Sequence, residues 1–225
     1  MGFRVGSAVD PAGSMAALFG TWRVGSPERQ EAAVDAIAAA WEARPWPGEN
    51  LRSYGVLAGD DGTTLLHFSV LDGPDDMSGQ AWKREVDAAV PGIERIGVVA
   101  CRLRRGTPAY GDVRDARCAV LVTREFDPPA VGSANGLVDA MFNGSADTPP
   151  AAGLISAHFY VSLDGARVFN YALWTSAEAH QRAVGNVPPA LAENEQWKQA
   201  HAWRGLRSTA FQRLSPRLHL ARPAD

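Results

Sequence analysis

The sequence predicts an α+β fold made of two tandem ferredoxin-like repeats, each running β-α-β-β-α-β. Three observations support this. Residues 154–174 lie over residues 51–71 at a constant offset of 103 with no gap, so one hairpin occurs twice; two copies of a hairpin imply two copies of a domain. In each copy strand-like and helix-like periodicities alternate in the same order. Neither side of the hairpin strands is polar: in 168–174 one side carries Val168, Asn170, Ala172 and Trp174 and the other Phe169, Tyr171 and Leu173. A four-stranded sheet with both helices on one side leaves its second face uncovered. The sister repeat is the nearest cover, giving an intramolecular dimeric α/β-barrel. The expected organisation is a flexible start over 1–14, a first repeat over 15–112, and a second over 113–225 with a C-terminal extension.

The elements follow in order. An apolar run over 15–22 begins the first repeat. Ser26-Pro27 then supplies a helix cap and a favoured first residue. Ala33, Val34, Ile37 and Trp41 form one apolar stripe, backed by Glu28, Arg29, Asp35 and Glu42, and Pro45 and Pro47 close the helix. Strands over 52–58 and 63–71 join through Asp60-Asp61-Gly62, a strong turn signal. Asp75-Asp76 opens a second helix with an inward side of Trp82, Val86 and Ala89, which Pro91-Gly92 stops; a strand over 96–103 completes the repeat.

The second repeat starts with a strand over 118–126. Leu137, Val138, Met141 and Phe142 share one side of a helix that Gly136 should weaken. A loose linker over 143–150 leads to strands 154–162 and 167–174, which turn at Asp164-Gly165. Thr175-Ser-Ala-Glu178 reads as a capping box. Pro188-Pro189 interrupts, a polar helical stretch runs from 190 to about 202, and a strand over 208–214 closes the sheet. Leu218 to Leu220 in the tail can fold over a neighbour.

Composition sets limits on function. The 225 residues are 46% apolar and 21% charged, which suits a packed globular core. A net charge of −3 and the lack of a basic stripe argue against nucleic acid; Arg102, Arg104 and Arg105 end a strand before a turn. Cys101 and Cys118 read as small buried hydrophobes rather than a disulfide framework. No apolar run is long enough to span a bilayer and the start lacks a signal-peptide core, so a cytoplasmic location without membrane association is expected. Phosphate-loop, dinucleotide, nucleophile-elbow and zinc-protease motifs are missing, and His201 and His219 stand alone, so a metal site is unsupported.

The candidate site lies where a strand places an amide and an indole on one side. Trp174 leads straight into a helix, so the side holding Asn170 and Trp174 should face the helices. An amide can hold a carbonyl or phenolate oxygen and an indole offers a flat wall with one donor, which suits a planar, partly oxygenated guest. An amide in mid-strand on an apolar side must find a partner or cost about 2–7 kcal/mol. Trp174 can equally be plain core. His158 and Tyr160 share a side of their strand, and periodicity does not decide whether that is the Asn170 side or the Tyr171 side. His180, six residues past Trp174, can close the pocket and exchange a proton near neutral pH. His67 matches Asn170 in the first repeat and reads either as a ligand contact or as a satisfied core histidine.

With these residues in view, Gly153-Leu-Ile-Ser-Ala, Ser162-Leu-Asp-Gly, Val168-Phe-Asn-Tyr-Ala-Leu-Trp174 and Ser176-Ala-Glu-Ala179 resemble the antibiotic biosynthesis monooxygenase family. The nearest kind is the anthrone-oxidising monooxygenases of aromatic polyketide pathways in actinobacteria. The resemblance is specific over 153–184; in the first repeat it survives as element order and hairpin register. It implies a cofactor-independent oxidation of an anthrone-type substrate by dioxygen, with Asn170 and Trp174 contributing to the pocket and to activity; beside them His180 is a candidate catalytic residue, and His158, Phe159, Tyr160, Tyr171 and His67 are candidate substrate contacts. Departures are Phe159 and His180 where the family pattern has tyrosines, and Asn194 where a helical arginine falls. One competent site, in the second repeat, is expected, with the first repeat as a degenerate partner. An aromatase or cyclase of the same pathways, or an inert aromatic-binding protein, is the alternative. The chain is expected to be a monomeric pseudo-dimer, with a homodimer of whole chains left open by its apolar surplus.

Overall fold

The computed structural model describes residues 2–5, 9, 16–48, 50–73 and 81–223. In chain order the strands and helices are β1 (Gly2–Val5), β2 (Ala16–Arg23), α1 (Pro27–Glu42), β3 (Leu51–Gly59), β4 (Thr64–Leu71), α2 (Ala81–Ala89), β5 (Glu94–Gly106), β6 (Cys118–Phe126), α3 (Val131–Ser145), β7 (Leu154–Ser162), β8 (Arg167–Trp174), α4 (Ala177–Gly185), α5 (Pro189–Glu193), α6 (Glu195–His201) and β9 (Leu206–Ala221). The chain divides into two compact units, Met1–Cys101 with Leu214–Asp225, and Arg102–Arg213. Each is a ferredoxin-like repeat. Among the described residues no helix is long and apolar enough to cross a membrane.

In the first unit the strands lie in the order β1-β9-β3-β4-β2-β5. Leu214 to Ala221 of β9 pair antiparallel with β3, from Leu214 beside Gly59 to Ala221 beside Ser53. The tail read as an extension is therefore a strand of this sheet. Ser26 caps α1 by accepting from the Arg29 amide, and Pro27 takes the first turn, as the sequence requires. Its stripe of Ala33, Val34, Ile37 and Trp41 packs on Leu18, Tyr54, Leu65 and Leu71 in one core with Trp82 and Val86 of α2. Gln30 lies buried on that stripe because its amide donates to the carbonyls of Gly59 and Thr64. The expected helix start at Asp75-Asp76 and most of the expected flexible start fall outside the described residues; within the latter, Gly2–Val5 pair with β9.

The second unit has β8 between β6 and β7, with β5 beyond β7 and β9 beyond β6. Val120, Ala157, Val161, Val168, Ala172 and Trp174 meet Leu137, Val138 and Met141 of α3 in its core. Gly136 lies in mid-helix for a packing reason: a Cβ there would stand 2.9 Å from Cζ2 of Trp203, whose indole also donates to Ser133. Three expectations shift. The cap of α4 is Ser176, accepting from the Ala179 amide, one residue later than the box read from Thr175. The linker over 143–150 begins inside α3, which continues to Ser145. The polar stretch after Pro188 breaks into α5 and α6 at Asn194, whose side chain caps α6 by accepting from the Gln196 and Trp197 amides.

The two hairpin turns repeat to the atom. Gly62 and Gly165, 103 positions apart, have φ of +69° and +71°. A Cβ on Gly62 would lie 2.9 Å from Cγ of Pro27, the first residue of α1, and one on Gly165 would lie 2.3 Å from the backbone nitrogen of Val131, the first residue of α3. Each turn is thus pressed against the start of its own repeat's first helix. Gly165→Ala should cost about 2–3 kcal/mol in urea unfolding, since the left-handed backbone and a rigid backbone neighbour both oppose it. Gly62→Ala should cost less, because the proline ring can yield.

Candidate functional site

The register settles which residues lie under the helices. In the second unit Asn170 stands opposite Val122 on one side and Phe159 on the other, and Arg124 stands opposite Val168. Cross-strand partners share a face, and Phe159, Val168, Ala172 and Trp174 belong to the core beneath α3 and α4. Asn170 and Trp174 therefore point to the helix side, as their spacing predicts. Arg124 points there too. Three polar atoms on this face are buried without a hydrogen-bond partner: Arg124 Nη1, Asn170 Oδ1 and Trp174 Nε1. Burial pushes the Arg124 guanidinium down to about 10. Side chains close over these atoms in the structure, and Trp174 is only 7% exposed.

His180, in the first turn of α4, meets the edge of Trp174 with ring centroids 5.1 Å apart. Its Nδ1 accepts from Nε of Arg213 at 3.1 Å. Arginine has no lone pair to offer, so neutral His180 carries its proton on Nε2 and acts as a donor. Burial, reinforced by the Arg213 charge, lowers its pKa. Phe211, two residues before Arg213 on β9, also meets the imidazole, with ring centroids 5.5 Å apart.

The remaining expected residues lie apart from this group. His158 pairs with Tyr171 and Tyr160 with Phe169, on the face turned away from α3 and α4. His158 also lies close against Gly106, where a Cβ would stand 2.6 Å from its Cδ2. The structure thus gathers Asn170, Phe159, Trp174 and His180 on one side, and His158, Tyr160 and Tyr171 on the other.

His67 has surroundings of its own. It faces α2 in the first unit, opposite Gly20 and Val56. Its Nδ1 lies 2.6 Å from the Tyr54 hydroxyl and its ring 4.0 Å from that of Trp22. Burial, with the Arg95 charge adding to it, pushes the imidazole down to about 3, and burial raises the Tyr54 phenol well above its usual range. The pair is neutral at any working pH.

Arg124 and Arg213 were missed in the sequence reading. Arg124 was legible as the one charged residue in the alternation Cys118, Val120, Val122, Arg124, Phe126; Arg213 carried no local signal, since its role depends on a helix 33 positions away. Among the described residues no group of three His, Cys, Asp or Glu side chains is placed to hold a metal ion.

No protein-family description matches the chain, and no curated protein does. Solved structures do match. An anthrone oxidase-like protein shares the fold over 95% of this chain and 95% of its own, with a TM-score of 0.72 at 15% identity. The shared fold is the tandem ferredoxin-like architecture. A monooxygenase candidate from Fusobacterium nucleatum subsp. nucleatum matches 92% of this chain and 95% of its own, with a TM-score of 0.63 at 8% identity. A major regulator of staphylococcal pathogenesis matches 90% and 99%, with a TM-score of 0.55 at 9% identity. At such identities the likeness establishes architecture alone, and chemistry has to be argued from side chains.

Two measurements follow from the buried groups. Arg124→Met should raise stability by about 1–3 kcal/mol in urea unfolding, because it removes a buried charge with an unpartnered nitrogen. Below its ordinary value of 6.5, His67 takes up a proton in the unfolded chain but stays neutral in the folded one until about pH 3. Its share of stability is therefore whole above pH 6.5 and falls as the pH drops towards 3, by at most about 1.4 kcal/mol per pH unit. Subtracting the pH profile of His67→Asn from that of the unaltered chain should isolate this slope.

Proposed function

We propose that the chain is a cofactor-independent monooxygenase that oxidises a planar, anthrone-type polyketide intermediate to a quinone with dioxygen, using the helix side of the second repeat. One observation carries the reading: Arg124 Nη1, Asn170 Oδ1 and Trp174 Nε1 are buried without partners on the same face of one sheet. A structure seldom tolerates several such groups on one face unless a ligand satisfies them. Asn170 and Trp174 are four residues apart along β8, about 13 Å, a span suited to a fused-ring molecule lying along the strand.

The residues divide the work as follows. An anthrone oxygen, once the substrate is enolised, takes hydrogen bonds from the Arg124 guanidinium and from the Asn170 amide turned NH₂-inward, and Phe159 and Trp174 flank the rings. Fixed donors in a dry site favour the enolate over the neutral ketone, so stabilisation of the anion replaces a strong base. The anion gives one electron to dioxygen, and the two radicals join through a new C–O bond. Water takes the proton lost on enolisation and returns one to the resulting peroxide, which accepts a hydrogen bond from the His180 Nε2–H group. The carbon then loses its second proton as the O–O bond breaks, releasing water and leaving the carbonyl. One atom of dioxygen ends in the quinone and the other in water.

Incubation with 1,8-dihydroxyanthrone under ¹⁸O₂ should yield quinone carrying one labelled oxygen, with no turnover under argon, and mass spectrometry reads both. Asn170→Ala should lower kcat/KM about 10²-fold, the usual cost of losing one oxyanion donor. Arg124→Met should fold more stably and yet lose activity. A rate with protein no faster than autoxidation would overturn the reading.

A further inference from the structure

The first repeat, expected to be a degenerate partner, holds a cavity that the oxygenase reading does not use. It is about 100 Å³ in volume and lies between the sheet and α2, lined by Trp22, Tyr54, His67, Trp82, Arg95 and Val98 among others. Gly20 makes the room: it stands opposite His67, where Val122 stands opposite Asn170 in the second repeat. Apolar cavities of about 150 Å³ hold benzene, so a partly open one of this size admits a single ring and no fused system.

The chemistry of the lining is specific. Tyr54 keeps its proton, because burial disfavours the phenolate, and its hydroxyl is hydrogen-bonded to Nδ1 of His67. The other ring nitrogen of neutral His67 is Nε2. That nitrogen is buried and has no protein partner, and the residue itself is 8% exposed. Trp22 and Trp82 provide aromatic walls. Arg95 stacks on Trp22 at 5.2 Å, but its charge is offset by Asp87 and its Nη2 is engaged by the carbonyls of Asp87 and Val90. A neutral hydroxyl on an aromatic ring suits this site better than a carboxylate.

We propose that the first repeat is a second, separate binding site for a single-ring phenol, whose hydroxyl hydrogen-bonds to Nε2 of His67 while its ring lies against Trp22 and Trp82. The inference is independent of the oxidation assigned to the second repeat.

Isothermal titration calorimetry of the full chain with phenol and with toluene tests it. Phenol should bind at least tenfold more tightly than toluene. His67→Leu should abolish that preference while toluene still binds. Gly20→Val, which copies the residue found at this register in the second repeat, should remove binding of both and leave anthrone oxidation unchanged. Gly20→Ala is the milder control, since its Cβ would sit in ordinary contact, 3.5 Å from His67 Cβ and from Val98 Cγ2; it should weaken binding and still fold. Asn170→Ala should leave phenol binding unaltered. Equal affinity for phenol and toluene, full phenol binding in Gly20→Val, or no phenol binding to the unaltered chain would each overturn the proposal, whatever the outcome with anthrone.

Discussion

The register of the two hairpins is the constraint on which both candidate sites depend. Side chains alternate strictly along a strand, so a slip of one position would send every inward residue to the opposite face. Here β4 and β8 are held between two neighbours each, and the pairing places His67 and Asn170 at equivalent points under their helices. Because the burial of Leu65, Leu71, Val168 and Trp174 rests on the same register, losing the site means losing the core. Positional accuracy for the polar groups thus comes with the packing of the apolar ones.

On that shared backbone the two repeats have diverged in chemistry. By register Gly20 corresponds to Val122, Trp22 to Arg124, Tyr54 to Ala157, and His67 to Asn170. One copy has an open aromatic hollow around a neutral imidazole. The other has a closed face in which a guanidinium, an amide and an indole are left without partners. Burying such groups costs stability in the free protein, and a guest that accepts from the guanidinium and the indole and pairs with the amide would recover it. The difference between the repeats is therefore one of ligand, charge and access rather than of fold.

The architecture was legible because it rests on local patterns. The gap-free correspondence of 51–71 with 154–174, the Ser26-Pro27 start of α1 and the Asp-Gly turns all carry short-range physical meaning, and strands β6 to β8 fall where alternation places them. The helix-side direction of Asn170 and Trp174 was legible for the same reason. What escaped depended on distant partners. The side taken by His158 and Tyr160 needed the cross-strand register, the tautomer of His180 needed Arg213, and the hollow in the first repeat needed a glycine on β2 to be seen opposite His67. The place of Leu214 to Ala221 beside β3 likewise follows from a pairing more than 150 positions apart, which no window of sequence reveals.

The hairpin glycines also bear on how this molecule could be re-engineered. Because the tips at Gly62 and Gly165 abut the first residues of α1 and α3, neither tip is free loop in the usual sense, although both look like exposed turns in the sequence. Tags, epitopes or inserted domains placed there would pry a helix from its seat. Among the described residues, Gly48 and Gly185 have no neighbouring atoms within 4 Å of where a side chain would begin, and they are two positions at which extra chain could leave the fold without disturbing either repeat.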